Sequence, residues 1–510
     1  MTWPRHRLRI GADTLDGALS EWARAAPDHP ALRHADEVWT YGQLDSAVDR
    51  VAGKLSDELE VGDRVVLVGH NSTAWVITFL AVMRAGAVIV PANNRASPKQ
   101  LRDQCSLLEA KLVLHDDAHH HLVAGAGVRV AEAETYVREA LMDDSGQLAQ
   151  TREPNGQTLA LISFTSGTTG DPKGAMVTHE ALFRGSAVHV ECLGTTDRDS
   201  TLVVVPLFHN TGFVDQLGHM LVAGGSTHLL SRYRTTTTIE ELTARPVTHL
   251  AAVPSIIRML MMADGADKVF AGLGTILFGG SPMPKAWSAE LNHRWPGVRL
   301  VHGYGLTEFT SVCTLLPPQM IADRGDSVGI TPHDVEVKIV GADNREVATG
   351  VSGEVWVSGP TMMLGYWRRS DLTSEKIVGP WLRTGDRGHL DADGFLWLSG
   401  RVDDMINRGG EKVLPAEVEA EIAELPYVAE AVVFGVPDPV LHNRIVAVVR
   451  PRPGCRFDEV DARARLVSTV ADYAVPEDWV VQSDELPRAA SGKTDRRGIR
   501  ARYLEAIRST

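Results

Sequence analysis

Short apolar runs rich in β-branched residues recur along the first 280 residues: Arg64-Val-Val-Leu-Val, Ala87-Val-Ile-Val, Leu112-Val-Leu, Leu202-Val-Val-Val, Thr248-His-Leu-Ala-Ala-Val and Thr275-Ile-Leu-Phe. Longer segments of helical character separate them. A strand that is apolar at every position needs cover on both faces. That pattern belongs to parallel strands buried between helices, so the bulk of the chain reads as α/β. From about Val328 to Gly400 the texture changes to short alternating strands, Val335-Glu-Val-Lys-Ile-Val, Gly353-Glu-Val-Trp-Val-Ser and Gly394-Phe-Leu-Trp-Leu, flanked by the turn signals Asp343-Asn344 and Asp393-Gly394. This predicts an antiparallel sheet or small β-barrel. Beyond Gly400 the expected order is helix (Glu417 to Glu424), strand (Ala429 to Val436), strand (Ile445 to Arg450) and helix (Val460 to Tyr473). The expected organisation is a large N-terminal region, 1–400, and a small α+β domain, 401–510, with the boundary near Gly400–Asp404. The run Thr235 to Thr238 reads as a loop.

The 510 residues carry 51 basic and 65 acidic side chains, a net charge of −14. That balance argues against nucleic acid or anionic lipid as the partner, since both need a basic footprint. Four scattered cysteines (Cys105, Cys192, Cys313, Cys455) offer no CxxC spacing, so neither a zinc site nor a disulfide framework is expected, which fits a cytoplasmic location. The N-terminus lacks the apolar run of a signal peptide. The stretch from Ala74 to Pro91 is interrupted by Arg84 and Gly86 and reads as a buried helix followed by a buried strand, with no membrane span.

The most informative string is Phe164-Thr-Ser-Gly-Thr-Thr-Gly-Asp-Pro-Lys-Gly174. Its hydroxyls, backbone N–H groups and Lys173 are suited to wrapping a polyphosphate. It is not a Walker A loop: the one Gly-Lys-Thr in the chain, Gly492-Lys493-Thr494, has Pro487 where the first glycine belongs. The run His115-Asp-Asp-Ala-His-His-His121 has metal-ligand composition but is read as a polar loop.

The string Thr165 to Gly174 resembles the phosphate loop of the adenylate-forming superfamily, which includes the acyl-CoA synthetases. Further strings resemble that family's motifs in family order: Pro206-Leu-Phe-His-Asn-Thr-Gly212, Gly279-Gly-Ser-Pro282, Gly303-Tyr-Gly-Leu-Thr-Glu308, Gly353-Glu354 through Gly365-Tyr-Trp367 (the barrel motif), Trp381 to Asp386, Gly400-Arg-Val-Asp-Asp404 and Pro487 to Lys493. The resemblance implies an N-terminal AMP- and acyl-binding domain and a mobile C-terminal lid. It also implies a two-step reaction. A carboxylate attacks the α-phosphate of ATP, releasing pyrophosphate, and a thiol then attacks the acyl-adenylate. Mg2+ assists, and coenzyme A is the expected acceptor.

Residue roles follow from the same resemblance. Thr165, Ser166, Gly167, Thr168, Thr169, Gly170 and Lys173 would hold the phosphates. Gly280, Ser281, Gly303, Tyr304 and Gly305 would hold the adenine. Thr307 would bond the α-phosphate and Glu308 would ligate magnesium. Asp386 and Arg401 would reach the ribose, and Lys493 would stabilise the adenylation transition state. Asp403 would be the hinge, and Gly409 and Gly410 would lie on the coenzyme A side. Phe183, His209, Phe213, Val214, Gly279, His302 and Gly305 would line the acyl pocket, with His209 gating the thiol. Amino-acid-activating relatives place an aspartate where His209 stands, so an α-amino acid is disfavoured; Asp215, six residues on, could serve a differently placed amine or hydroxyl. His302 replaces an amide residue common before Gly-Tyr-Gly. The partners implied are a small carboxylic acid, ATP and coenzyme A. An acyl carrier protein as acceptor, a homodimer and a catalytically inactive binding homologue stay open.

Overall fold

In the computed structural model, residues 2–96, 98–143, 155–165, 173–280, 283–401, 406–408, 411–438, 441–467, 469–470, 472–489 and 493–508 are described. The chain divides into two compact units. One comprises Met1–Val337, Val357–Arg383 and Asp393–Leu396; the other comprises Lys338–Trp356, Thr384–Ala392 and Trp397–Thr510.

The first unit holds two large mixed sheets. In the eight-stranded sheet the inner strands Arg299–Leu306, Thr275–Gly279, His249–Ala252, Ser200–Val203, Ser226–Leu229 and Pro30–His34 run parallel, in that order. Ser311–Leu316 and Glu37–Thr40 pair antiparallel at its two edges. The seven-stranded sheet runs Gly365–Tyr366, Lys173–Thr178, Leu159–Thr165, Val88–Pro91, Arg64–Val68, Leu112–His115 and Arg129–Glu132; its first two pairings are antiparallel and the rest parallel. Every apolar run named above lies in these sheets, buried as its composition requires. The stretch Ala74 to Pro91 is, as expected, a buried helix, Thr73–Arg84, followed by the buried strand Val88–Pro91. Among the described residues no helix is long and apolar enough to cross a membrane.

Local chemistry starts the helices where they start. Thr40 and Gln43 form a reciprocal capping box for Tyr41–Glu58. Ser72 caps Thr73–Arg84 through the N–H of Trp75. Thr178 caps His179–Leu193, which stops at Gly194 in the left-handed conformation. Arg84, 3 % exposed, closes the packing of three helices by bonding Asp45, Asp49 and the main chain of Asp16. Burial works against its charge, yet the three carboxylates outweigh this and raise its pKa.

Three expectations need correction. Thr235 to Thr238 is not a loop but the first turn of the helix Thr235–Ala244. The Thr238 hydroxyl donates to the Arg234 carbonyl at 2.8 Å, and Ile239 and Leu242 bury at helical spacing; packing overrides the poor helix propensity of threonine. The Gly365-Tyr-Trp string is not in the barrel: Gly365–Tyr366 forms the edge of the seven-stranded sheet, in register with Met176 and Ala175. The helix expected to run to Tyr473 ends at Leu466, and Asp472–Ala474 is a separate 3-10 turn.

The expected barrel is an open five-stranded half-barrel. Its strand order is Glu336–Val340, Gly353–Ser358, Trp381–Leu390, Ile377–Val378, with Leu396–Arg401 also on Trp381–Leu390. The α+β part of the second unit pairs Val428–Asp438 antiparallel with His442–Pro451, which pairs parallel with Asp478–Val481. Helices Pro415–Ala423 and Glu459–Leu466 pack their buried side chains with one face of this sheet, and Ile499 and Leu504 pack with the other.

Candidate functional site

The Gly/Ser/Thr string spans a hairpin. Leu159–Thr165 and Lys173–Thr178 are antiparallel neighbours with Thr165 opposite Lys173 and Phe164 opposite Gly174. A Walker loop instead joins a strand to a helix, whereas the strands that flank this string are antiparallel partners. Ser166, Gly167, Thr168, Thr169 and Gly170 lie outside the described residues. The edge beyond Lys173 is closed by the Gly365-Tyr-Trp string: Leu364 donates its N–H to Met176 and Trp367 donates its N–H to Gly174, both at 2.8 Å.

Glu308 is brought to this same edge. Its side-chain Oε1 accepts the Tyr366 hydroxyl at 2.7 Å, and its carbonyl accepts the Met363 N–H at 2.9 Å. Tyr366 is buried while Glu308 is half-buried, so one carboxylate oxygen is oriented from behind and the group still reaches solvent. Tyr304, Gly305, Leu306, Thr307 and Glu308 form a continuous partly exposed lip where the strand Arg299–Leu306 runs into the 3-10 turn Thr307–Phe309. The chain then turns through two non-glycine residues with positive φ, Thr310 at 46° and Ser311 at 94°. A β-carbon at Gly305 would lie 1.7 Å from the Ser311 carbonyl oxygen, and one at Gly279 would lie 2.5 Å from that of Gly303. These glycines are therefore required by the protein's own backbone packing, a stronger demand than the close ligand approach their motif suggests.

The acyl-site string is followed at once by a π-helical turn, Phe213–Gly218, a wide turn often found at functional positions. Phe183, Phe213 and Val214 pack in the core of the first unit, Phe213 against Phe79 with ring centroids 5.6 Å apart. His209 caps the short helix before this turn and lies against Phe208 at 4.1 Å. Burial, with help from the Arg95 charge, pushes its pKa down to about 4, so it is neutral at pH 7. His302 is buried, stacked on Phe278 at 4.5 Å, and bonds the Ser327 carbonyl at 3.2 Å. Burial lowers its pKa to about 4 despite that bond.

Asp215 sits in the π-helical turn, and its Oδ1 accepts both His189 Nε2, at 3.1 Å, and the Ser311 hydroxyl. The three side chains come from three segments. Gly185 and Gly218 let them meet: a β-carbon at Gly185 would lie 2.4 Å from the Thr310 carbonyl oxygen, and one at Gly218 would lie close against Ser186 Oγ. His189 follows Gly185 by one helical turn, on the same face.

The His/Asp run at 115–121 folds as the end of a strand, a 3-10 turn and a short helix. Asp116 accepts His70 Nδ1 at 2.9 Å and His119 Nδ1 at 2.5 Å, and these three ligand atoms lie within 4.8 Å of one another. Arg232 Nε donates to His70 Nε2 at 2.7 Å. Arginine can only donate, so the His70 proton is on Nδ1, the nitrogen a cation would need. The cluster is a satisfied hydrogen-bond network with a guanidinium at its border.

In the second unit Asp386 is nine-tenths buried inside a strand, not at a turn. Its N–H donates to Thr384 Oγ1 at 2.9 Å, whose hydroxyl donates to the Val355 carbonyl at 2.7 Å. Lys493 is exposed, its carbonyl accepts the Ala489 N–H at 2.8 Å, and Arg488 pairs antiparallel with Thr494. Arg401 ends the strand Leu396–Arg401. Ser281, Asp403, Gly409 and Gly410 lie outside the described residues. Gly280 follows its strand with φ of 77°.

Residues 19–367 match the family model for AMP-binding enzymes, and residues 417–493 match that of the AMP-binding enzyme C-terminal domain. The chain belongs to the AMP-binding enzyme family. Its relatives are named CoA ligases. A feruloyl-CoA synthase of Amycolatopsis sp is 34% identical over 498 residues, 95% of this chain and 99% of that protein. An indoleacetate–CoA ligase of Aromatoleum aromaticum is 33% identical over 503 residues, 94% and 97% of the two chains. Among solved structures, o-succinylbenzoate CoA synthetase from Bacillus subtilis with its acyl-adenylate OSB-AMP is similar with a TM-score of 0.84 at 26% identity, over 94% of this chain and 97% of that one. ATP-bound MatB from Rhodopseudomonas palustris gives 0.87 at 27%, over 97% and 99%. This AMP-binding enzyme is accordingly an acid–thiol ligase of the AMP-forming kind.

Two features of this AMP-binding enzyme escaped the sequence reading. Tyr366 was assigned to the barrel and is the partner of Glu308, 58 positions away; Asp215 was noticed, but without its partners His189 and Ser311, 26 and 96 positions away. No local pattern signals contacts of that separation.

Proposed function

We propose that this AMP-binding enzyme is an ATP-dependent carboxylic acid:CoA ligase that forms an acyl-adenylate, releases pyrophosphate, and transfers the acyl group to the thiol of coenzyme A. The observation that carries this reading is the lip Tyr304 to Glu308, with the Glu308 carboxylate oriented by Tyr366 at 2.7 Å, on the edge strand beside the one that begins at Lys173. A cation and a triphosphate need such a juxtaposition. Glu308 fits magnesium by donor type: it is a half-buried carboxylate with one oxygen held by the Tyr366 hydroxyl. Bound there, Mg2+ would neutralise triphosphate charge.

The remaining roles rest on the resemblance. Thr165 to Lys173 would cradle the phosphates, Tyr304 would stack on adenine, and Asp386 and Arg401 would serve the ribose. Lys493 would stabilise the charge of the adenylation transition state. The domain boundary near Gly400, the hinge at Asp403 and the thiol side at Gly409–Gly410 belong to the same reading, as does a cytoplasmic location. Neutral His209 would border the path of the thiol without adding a charge that would bind the carboxylate unproductively. The named relatives act on feruloyl and indoleacetate groups, which supports an aromatic acid as the substrate class.

Incubation with ATP, Mg2+ and a panel of carboxylic acids should release pyrophosphate, and added coenzyme A should give the thioester. Release that leads to a thioester only on a phosphopantetheinylated carrier protein would move the acceptor to the carrier. No release with any acid would refute the ligase reading.

A further inference from the structure

We propose that Asn71 is a positioning residue: its carboxamide pins the acyl-site string that runs from Pro206 to Gly212 and so fixes the wall against which the acid and the thiol are aligned. The inference rests on the ligase reading and deepens it.

Three observations carry it. First, Asn71 is 4 % exposed and spends its side chain on the main chain at the start of that string. Its Oδ1 accepts the Leu207 N–H at 2.7 Å, and its Nδ2 donates to the Val205 carbonyl at 2.9 Å and to the Leu230 carbonyl at 3.0 Å. Val205 and Leu230 lie just past the neighbouring parallel strands Ser200–Val203 and Ser226–Leu229 of the eight-stranded sheet, whereas Asn71 lies just past Arg64–Val68 of the seven-stranded one. One side chain thus ties the carboxyl ends of strands from both sheets, the end at which open α/β sheets bind their ligands. Second, the pattern demands an amide. One group must accept from an N–H and donate to two carbonyls, and an amide turned by half would set its NH2 against the N–H and its oxygen against both carbonyls. Pro206, between the two gripped residues, has no N–H of its own and favours an extended Val205. Third, the grip is transmitted. The Pro206 carbonyl accepts the His209 N–H at 3.1 Å, and the His209 carbonyl accepts the Gly212 N–H at 2.8 Å. A β-carbon at Gly212 would lie 2.7 Å from the Pro206 carbonyl oxygen, so the string is coiled too tightly for one end to shift alone. The base of the clamp is fixed as well. Asn94 Nδ2 donates to the Gly69 carbonyl at 3.0 Å, the His70 N–H donates to Asp116 at 2.8 Å, and Ser72 caps the buried helix Thr73–Arg84.

The physical consequence is selective damage. Loss of the carboxamide leaves a buried N–H and two carbonyls without their partner, and the string relieves them by moving. Among the described residues neither the lip Tyr304 to Glu308 nor the strand from Lys173 bonds the Asn71 side chain, so ATP is handled as before. A carboxyl group at this position adds a switch. Ionised, it accepts from Leu207 but sets its second oxygen against the two carbonyls; protonated, it donates to one of them and restores most of the pattern. Burial against carbonyls favours the protonated form, so function returns as the pH falls.

The test is pyrophosphate release by the full-length enzyme with ferulate and with indoleacetate, alongside urea midpoints. Asn71→Ala should raise the KM for the acid roughly 10- to 100-fold while the KM for ATP moves less than about twofold. For Asn71→Asp the readout is its kcat/KM for the acid divided by that of the wild type at each pH. This ratio should match that of the alanine variant at pH 8 and climb roughly tenfold by pH 6. Dividing by the wild type removes the titrations of His70, His119 and His209, which both enzymes share. A folded Asn71→Ala whose acid and ATP constants move together, or not at all, overturns the inference, and so does a flat ratio for Asn71→Asp. Failure of both variants to fold at every pH overturns it as well, since Asn71 would then be a structural tie. If the wild type turns over neither acid, the constants are taken with the acid of the wider panel that does release pyrophosphate. Release with no acid strikes the ligase reading itself, which is a distinguishable failure.

Discussion

Removal of one hydroxyl, Tyr366→Phe, isolates the group that orients Glu308. The Tyr366 ring is buried and stays in the variant, and the Glu308 main chain remains held by the Met363 N–H at 2.9 Å. The 2.7 Å bond to Glu308 Oε1 is lost. A hydrogen bond to a charged acceptor contributes about 1.5–3 kcal/mol. If that energy orients the carboxylate, its loss lowers the magnesium-dependent rate by roughly 10- to 150-fold, at tenfold per 1.4 kcal/mol. The assay is pyrophosphate release at fixed ATP and acid across a Mg2+ titration. The half-saturating Mg2+ concentration should rise roughly 10- to 100-fold, as it does when the partner of a metal ligand is removed. The KM for the acid should move far less, and high Mg2+ should restore much of the rate. A merely structural role would lower the rate at all Mg2+ concentrations without moving the half-saturation point. In a double-mutant cycle with Glu308→Gln, the tyrosine change should add almost nothing once the carboxylate is gone. A Mg2+ titration that superimposes on the wild type, or full additivity in the cycle, would refute the orienting role.

Lys493→Ala should abolish adenylation while thioester formation from supplied acyl-AMP persists, read by pyrophosphate release and by thioester yield; equal loss of both halves contradicts a role confined to the first step. Arg84→Ala should destabilise the first unit by about 3–5 kcal/mol, because it strands Asp45, Asp49 and Asp16 around an empty position, and a urea midpoint reports it; a change under about 1 kcal/mol would show that the buried network is dispensable. Stability should fall as pH drops from about 6.5 toward 4. His209, His228 and His302 each have a native pKa pressed by burial to about 4, so in that window the unfolded chain binds protons that the native state excludes. The loss is about 2 kcal/mol for each histidine at pH 5 and is absent above pH 7, so equal urea midpoints at pH 5 and 7.5 would contradict it.

Much of the architecture was legible in the linear chain because it depends on local chemistry. Continuous apolar runs can only be doubly covered strands, and the residues that interrupt Ala74 to Pro91 forbid a span. Ordered motifs from Thr165 to Lys493 carried the family. Legibility failed where distant groups compete with local preference. The threonines at 235–238 look like loop residues until Ile239 and Leu242 find a core, and Gly365-Tyr-Trp looks like barrel until it pairs with the strand from Lys173 to Thr178.

The site divides along the same line. The motifs that resemble the family's single out Glu308 and His209 as chemically capable residues, with Asp215 six residues after His209, since that capacity belongs to the side chain alone. Which of them is oriented, neutral or held by neighbours depends on what folding brings within a few ångströms. Tyr366 orients the Glu308 carboxylate, burial makes His209 a neutral imidazole, and His189 with Ser311 holds one oxygen of Asp215. Hydrogen bonds and desolvation fall off within a few ångströms, so they are set by proximity in space, which the order of residues along the chain does not contain.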